Sequence, residues 1–139
     1  MVQGVSHITF IVADLDRMEA LLVGILAARK VYDSGDRTFS LSKERFFVVG
    51  AEPNATWIAI MEGEALPTRT YNHVAFKIDD GEYEACLGRI RDMGLDVREG
   101  RSRVPGEGRS IYFYDDDNHM FELHTGTLQE RLASYAEKR

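Results

Sequence analysis

Two histidines of this chain stand in near-copies of one short segment. The first copy is Ser6-His7-Ile8-Thr9-Phe10-Ile11-Val12-Ala13-Asp14, and the second is Asn72-His73-Val74-Ala75-Phe76-Lys77-Ile78-Asp79-Asp80. In both, Phe and then a branched aliphatic follow the histidine in register, and an acidic residue closes the copy. Side chains of a strand alternate between faces, so each imidazole points away from Ile8, Phe10 and Val12 or from Val74, Phe76 and Ile78. The apolar set can pack a core. The duplicated imidazoles face something else, and together they suit the halves of one metal site. A carboxylate follows an Asp-rich turn in Asp115-Asp116-Asp117-Asn118-His119-Met120-Phe121-Glu122-Leu123, where Glu122 takes the face opposite Phe121 and Leu123. His7, His73 and Glu122 would leave positions open on a divalent ion, as a Lewis-acid catalyst requires. A lone strand histidine is ordinarily a hydrogen-bonded polar residue; duplication is what lifts this pair above that. His124 shares a face with Glu122 and is a rival ligand, second because it lies near the strand end. His119 reads as a turn residue.

The elements that must position these groups follow from pattern. Alternation and β-branched content predict a strand over 4–12. Asp14 caps a helix to about Ala28, with Leu15, Met18, Leu22 and Ile25/Leu26 at helical spacing. Strands are expected near 29–33, 37–42, 45–49 and 56–62. The order then repeats, with a strand over 71–78 and a helix over 80–93 that places Tyr83, Leu87 and Ile90 on one face and ends at Gly94. Strands near 95–98, 109–115 and 119–124 and a helix from about Thr127 to Lys138 complete the chain. Each half is close to β-α-β-β-β, an α+β arrangement of paired modules over about 1–66 and 67–139 within one domain. Aligning the halves by Trp57-Ile58-Ala59 and Met120-Phe121-Glu122 sets Ala59 opposite Glu122, so the first half lacks that carboxylate. A half of this size has a marginal core, so the modules should pack together or exchange with another chain.

Bulk properties narrow the classes. A chain of 139 residues with 44% hydrophobic and 29% charged residues suits one ordinary globular domain. A formal charge of -6 argues against a general nucleic-acid binder but leaves room for a local cationic pocket. No apolar run approaches the roughly 20 residues that span a bilayer, and no secretory signal is visible. Cys86 is the only cysteine, which removes intrachain disulfides and cysteine-rich zinc sites. A cytoplasmic location is the expectation.

The two His strands, the paired modules and the Asp-x-Asp-x-x-x-x-Glu-Leu element resemble the vicinal oxygen chelate superfamily, the glyoxalase/bleomycin resistance-like fold. Finer features are similar to the fosfomycin resistance proteins: Ser6-His7-Ile8-Thr9, Gly106-Glu107-Gly108-Arg109-Ser110-Ile111-Tyr112-Phe113-Tyr114-Asp115, and Glu122-Leu123-His124-Thr125-Gly126-Thr127-Leu128 leading to Arg131-Leu132. The likeness covers nearly the whole chain. Three subtypes share that scaffold: glutathione transferases, bacillithiol or cysteine transferases, and epoxide hydrolases. The segment from Ser34 to Phe47, with Ser42-Lys43-Glu44-Arg45-Phe46-Phe47, is similar to the hydrolase subtype. There a glutamate is the general base, and Glu44 matches it. Read without the resemblance, Glu44 is a solvated charge in a Lys-Glu-Arg turn.

The resemblance implies a metal-dependent hydrolase that adds water to the epoxide of fosfomycin, a small phosphonate dianion. Mn(II) is the expected ion, with no organic cofactor; open, oxygen-rich coordination suits it, although affinity order alone favours other metals. Arg131 and Tyr112 match phosphonate-contacting positions. Thr9 shares the His7 face and can donate a hydroxyl. Arg101, Arg103 and Arg109 crowd one Gly-containing loop, and Arg103 is the first choice among them by proximity; surface charge is the plain alternative for Arg101 and Arg109. Gly106 stands where the glutathione subtype has Ser in its monovalent-cation loop, so no potassium requirement is expected. Superfamily practice implies a domain-swapped homodimer. The rivals are a thiol transferase acting on the same epoxide, a non-catalytic small-ligand binding protein, and a ring-cleaving dioxygenase needing Fe(II), against which the crowded arginines argue.

Overall fold

Within residues 1–67 a parallel pair and two antiparallel pairs make one mixed sheet. The structure is a computed structural model, and it describes residues 1–98 and 104–137. The chain divides into two compact units, Met1–Pro67 and Thr68–Arg139. In the first, β1 (His7–Val12), α1 (Leu15–Leu26), β2 (Arg29–Asp33), β3 (Glu44–Val49) and β4 (Thr56–Glu62) follow one another. The sheet order is β1-β4-β3-β2, with β1 parallel to β4 and the other pairs antiparallel.

Asp14 caps α1 as its spacing predicts, its carboxylate accepting from the Arg17 backbone N–H at 3.1 Å. Leu15, Met18, Leu21, Leu22, Ile25 and Leu26 are buried on one face of α1, which packs on β3 and β4. Phe10 and Val12 of β1 and Phe47, Ile58 and Ile60 of β3 and β4 meet that face from the sheet. The helix ends at Ala27, which adopts a left-handed φ of 53° without being glycine. The expected strand over 37–42 does not form. These residues are bends and loop between β2 and β3, with Phe39 and Leu41 exposed. Alternation there had no partner ladder to join, because β3 itself takes the place beside β2.

The second unit repeats the order: β5 (His73–Lys77), a 3-10 turn at Asp80–Glu82, α2 (Tyr83–Asp92), β6 (Asp96–Arg98), β7 (Ser110–Tyr114), β8 (Met120–His124) and α3 (Leu128–Glu137). The sheet order β5-β8-β7-β6 copies the first, again with the histidine strand at the end of the order and parallel to its neighbour. The paired α+β modules therefore form as expected. The helix predicted over 80–93 opens as the 3-10 turn, and its buried residues are Cys86 and Ile90, with Leu87 half-buried. A thiol was not counted as apolar in the pattern, although free cysteine packs as a small hydrophobe. Gly94 follows the helix in the left-handed conformation at φ 70°. A capping box opens α3: Thr127 Oγ1 accepts from Glu130 N–H, and Glu130 Oε1 accepts from Thr127 N–H, both at 3.1 Å.

Candidate metal and substrate site

In the second unit, the parallel register pairs Ala75 with Glu122, and the antiparallel register pairs Glu122 with Tyr112. His73, Glu122 and Tyr112 therefore share the sheet face opposite the one that α2 covers. His73 Nε2 lies 2.9 Å from Glu122 Oε1. His73 Nδ1 lies 2.6 Å from the carbonyl of Tyr71. A carbonyl only accepts, so Nδ1 carries the proton and the Nε2 lone pair is aimed at a carboxylate oxygen. With the ring neutral, two acceptors turned toward one another at that distance can share a cation. Glu122 is 5% exposed, and its other oxygen accepts from Ser110 Oγ at 2.5 Å. An imidazole fixed by a backbone carbonyl and a carboxylate fixed by a hydroxyl are the supported first ligands that a divalent ion requires. One nitrogen and one oxygen donor on a polar face suit Mn(II).

Tyr71 and Tyr112 frame His73. The ring of Tyr112 meets the imidazole edge-on at 5.6 Å, and Tyr71 donates its hydroxyl to Tyr112 Oη at 3.2 Å. Tyr71 lies outside every sequence motif; a Tyr two residues before a strand histidine is the only signal that could have found it. His124, the rival ligand, has partners for both ring nitrogens: Nδ1 is 2.7 Å from Ser110 Oγ and 3.4 Å from Glu122 Oε2, and Nε2 is 3.3 Å from an Arg131 nitrogen. His119 sits in its turn as expected, Nδ1 2.7 Å from Asp115 Oδ2.

In the first unit, β1, β4 and β3 bring His7, Thr9 and Glu44 to one face, because Thr9 pairs with Ala59, Ala59 with Phe46, and Glu44 with Met61. His7 stacks on Trp57 at 4.2 Å, Trp57 meets Phe46 edge-on at 5.2 Å, and Phe46 meets Tyr32 at 4.9 Å. That aromatic row crosses the whole sheet and escaped the sequence reading, since its members come from four different strands. His7 Nδ1 lies 3.0 Å from Ser6 Oγ. Glu44 is not the solvated turn charge its neighbours in sequence suggest. It opens β3, is 9% exposed, and is pinned by two backbone bonds: its N–H donates to Ser34 Oγ and its carbonyl accepts from Ser34 N–H, both at 3.0 Å.

The cationic residues separate. Arg101 and Arg103 lie outside the described residues. Arg109 is engaged at the start of the second unit's helix: Nε bonds Asp80 at 2.9 Å, and the guanidinium lies 4.0 Å over the Tyr83 ring. Arg131 of α3 reaches back toward the sheet, with Nε 3.8 Å from Glu107, which is fully buried. Gly108 and Gly126 let the two loops meet there. A Cβ on Gly108, at φ +88°, would fall 2.6 Å from Gly126 N, and one on Gly126 would fall 2.5 Å from the Glu107 carbonyl. Among the described residues no group of three His, Cys, Asp or Glu side chains that could hold a metal ion occurs. No helix of the described residues is long and apolar enough to cross a membrane.

No protein-family model matches the chain. Curated relatives do. Over 136 residues the chain is 59% identical to the fosfomycin resistance protein FosX of Mesorhizobium japonicum, covering 98% of this chain and 95% of that one. Metallothiol transferase FosB of Staphylococcus saprophyticus is more distant, 34% identical over 143 residues, covering 100% of this chain and 87% of the relative. Among solved structures, a point mutant of FosX from Listeria monocytogenes, complexed with Mn(II) and 1S,2S-dihydroxypropylphosphonic acid, superposes with a TM-score of 0.86 at 49% identity, covering 97% of this chain and 99% of that one. With that identity running over almost its entire length, and with the duplicated His sheets in place, the chain belongs to the FosX family of fosfomycin resistance proteins.

Proposed function

We propose that this protein inactivates fosfomycin by adding water to its epoxide, using one Mn(II) held by His73, Glu122 and His7. The observation that carries the reading is the ligand of its structural neighbour: a dihydroxypropylphosphonic acid is an epoxypropylphosphonate plus one water. When bound, the ion supplies Lewis-acid polarisation of the ring oxygen. Glu44 accepts a proton from the incoming water as the water oxygen bonds to a ring carbon and the C–O bond of the ring breaks. The released oxygen takes up a proton and leaves a vicinal diol. A positioned base of this kind contributes about 10²–10⁴-fold. Burial of Glu44 at the head of β3, with its backbone held by Ser34, supports the role, because a side chain rooted on a fixed strand has fewer orientations to lose in meeting its water.

Arg131, Tyr112 and Thr9 hold the phosphonate in this reading, together with Arg103, which lies outside the described residues. A guanidinium can grip two phosphonate oxygens at once. In this reading the two modules act as one domain, and His7 comes from the partner subunit of a swapped homodimer, as the resemblance to the superfamily implies. The reading places the protein in the cytoplasm, where the free thiol Cys86 stays reduced.

The test is a phosphorus NMR time course of protein, Mn(II) and fosfomycin, with and without thiol. Diol formation without thiol is expected. A thiol adduct with no diol would instead make the protein a transferase, and binding without turnover would make it a sequestering module.

A further inference from the structure

Between the proposed metal ligand and the proposed phosphonate ligand lies an imidazole with no role so far. Arg131 Nη2 is 3.3 Å from His124 Nε2; His124 Nδ1 is 2.7 Å from Ser110 Oγ; Ser110 Oγ is 2.5 Å from Glu122 Oε2. The direction of this series is fixed by its ends. A guanidinium has donors and no acceptor, so Nε2 must offer its lone pair. The neutral ring then carries its proton on Nδ1, which donates to Ser110, and the serine hydrogen is left for the carboxylate. Each link therefore donates toward Glu122. Oε2 is occupied by the hydroxyl, with His124 Nδ1 itself 3.4 Å away, and Oε1 is turned to His73 at 2.9 Å.

Arg131 is anchored from behind as well. Its Nε faces Glu107 at 3.8 Å, and Glu107 also accepts from Val104 N–H at 2.9 Å and from the Tyr135 hydroxyl. Gly126 presses the backbone against the ring, since a Cβ there would stand 2.9 Å from His124 Nε2. The imidazole has little room to turn.

We infer that His124 is a positioning residue that sets Glu122 for one-oxygen metal binding through Ser110 and, by its other nitrogen, sets the Arg131 guanidinium. The inference rests on the reading of Glu122 and Arg131 given under the proposed function. It also removes His124 from the ligand set, because both ring nitrogens are committed.

The test uses metal-free full-length protein titrated with Mn(II) alone, with free Mn(II) read by electron paramagnetic resonance. His124→Leu and Ser110→Ala should each weaken Mn(II) binding about 10- to 100-fold, the usual cost of losing a group that orients a ligand. The double variant should weaken it no further than the worse single one, because both break the same series. His124→Gln should recover most of the affinity, its carbonyl accepting from Arg131 and its amide donating to Ser110. Affinity unchanged in Ser110→Ala, or additive losses in the double variant, would overturn the inference. So would loss of binding in His124→Leu with none in Ser110→Ala, which would make His124 a metal ligand. If His124→Leu does not fold by circular dichroism, the Ser110→Ala and His124→Gln arms decide. A parent that does not bind Mn(II) overturns the proposed function instead.

Discussion

Beside Thr9, the first sheet carries Ala59; at the equivalent place beside Ala75, the second carries Glu122. One strand further over, Glu44 pairs with Met61, while its counterpart Ser110 pairs with His124. The two sheets thus share order, direction and histidine, yet keep their carboxylates at different places. In the second sheet the carboxylate is next to the histidine and touches it. In the first it is a strand removed from the histidine's neighbour and four residues along, roughly 15 Å away at ordinary strand spacing. Glu44 is too far to share an ion with His7 in its own sheet. In the reading proposed above, the second half supplies the carboxylate ligand of the metal, and the first half supplies the base, Glu44, in addition to its own histidine.

The comparison can be broken most decisively by separating the halves genetically. Inactive His7→Ala mixed with inactive Glu122→Ala should regain about a quarter of parental activity after subunit exchange, because half the dimers are mixed and each has one intact site. Exchange shown by mass spectrometry without regained activity would mean that each site is built within one chain. Next in size is the proton half. Glu44→Gln should lower turnover about 10²–10⁴-fold while Mn(II) affinity, measured by calorimetry, stays close to parental. Equal losses in both would erase the division. Arg131→Ala should raise the Michaelis constant by about 10- to 100-fold, since a charge-assisted contact is worth about 1.5–3 kcal/mol; normal kinetics would move the anion elsewhere.

The smallest effect lies in the first unit, at the end of β2. The Gly35 backbone N–H, 2.9 Å from Asp33 Oδ1, holds that carboxyl below its usual range, with Lys30 and Arg45 adding to it against some burial. A depressed carboxyl stabilises the fold above its unfolded value and loses that contribution as pH falls through the folded one. The melting temperature of Asp33→Asn should therefore trail the parent's at neutral pH and converge with it below the ordinary value of 3.8. A gap that persists in strong acid would assign the difference to packing.

Much of this was legible because strands advertise their faces. His7 and His73 were found by a period of two, and the same period sent Glu122 to their side of the sheet. The Ala59–Glu122 correspondence came from aligning the halves and reappears in the ladder registers. What stayed hidden depends on long-range partners. Glu44 looks solvated among Lys43 and Arg45, but in the fold it opens β3 beside Met61 and Ser34 and is buried. Residues 37–42 alternate as a strand would, but a ladder needs a neighbour, and none is there for Phe39 or Leu41. The bond from Arg131 to His124 spans seven residues from helix to strand, a distance no local pattern reports.

Among the described residues, both histidines ride on strands at the end of their sheets' order, where the ladder holds them from one side. Such strands open first when a fold breathes. An ion held by His73 and Glu122, as proposed, would tie β5 to β8 by a link that does not pass through the backbone, and at a hundred times its dissociation constant a ligand adds about 2.7 kcal/mol to stability. If that site holds the ion, manganese supply would govern how long each molecule survives cellular proteases as well as how fast it works. A cell starved of the ion would lose the resistance protein itself.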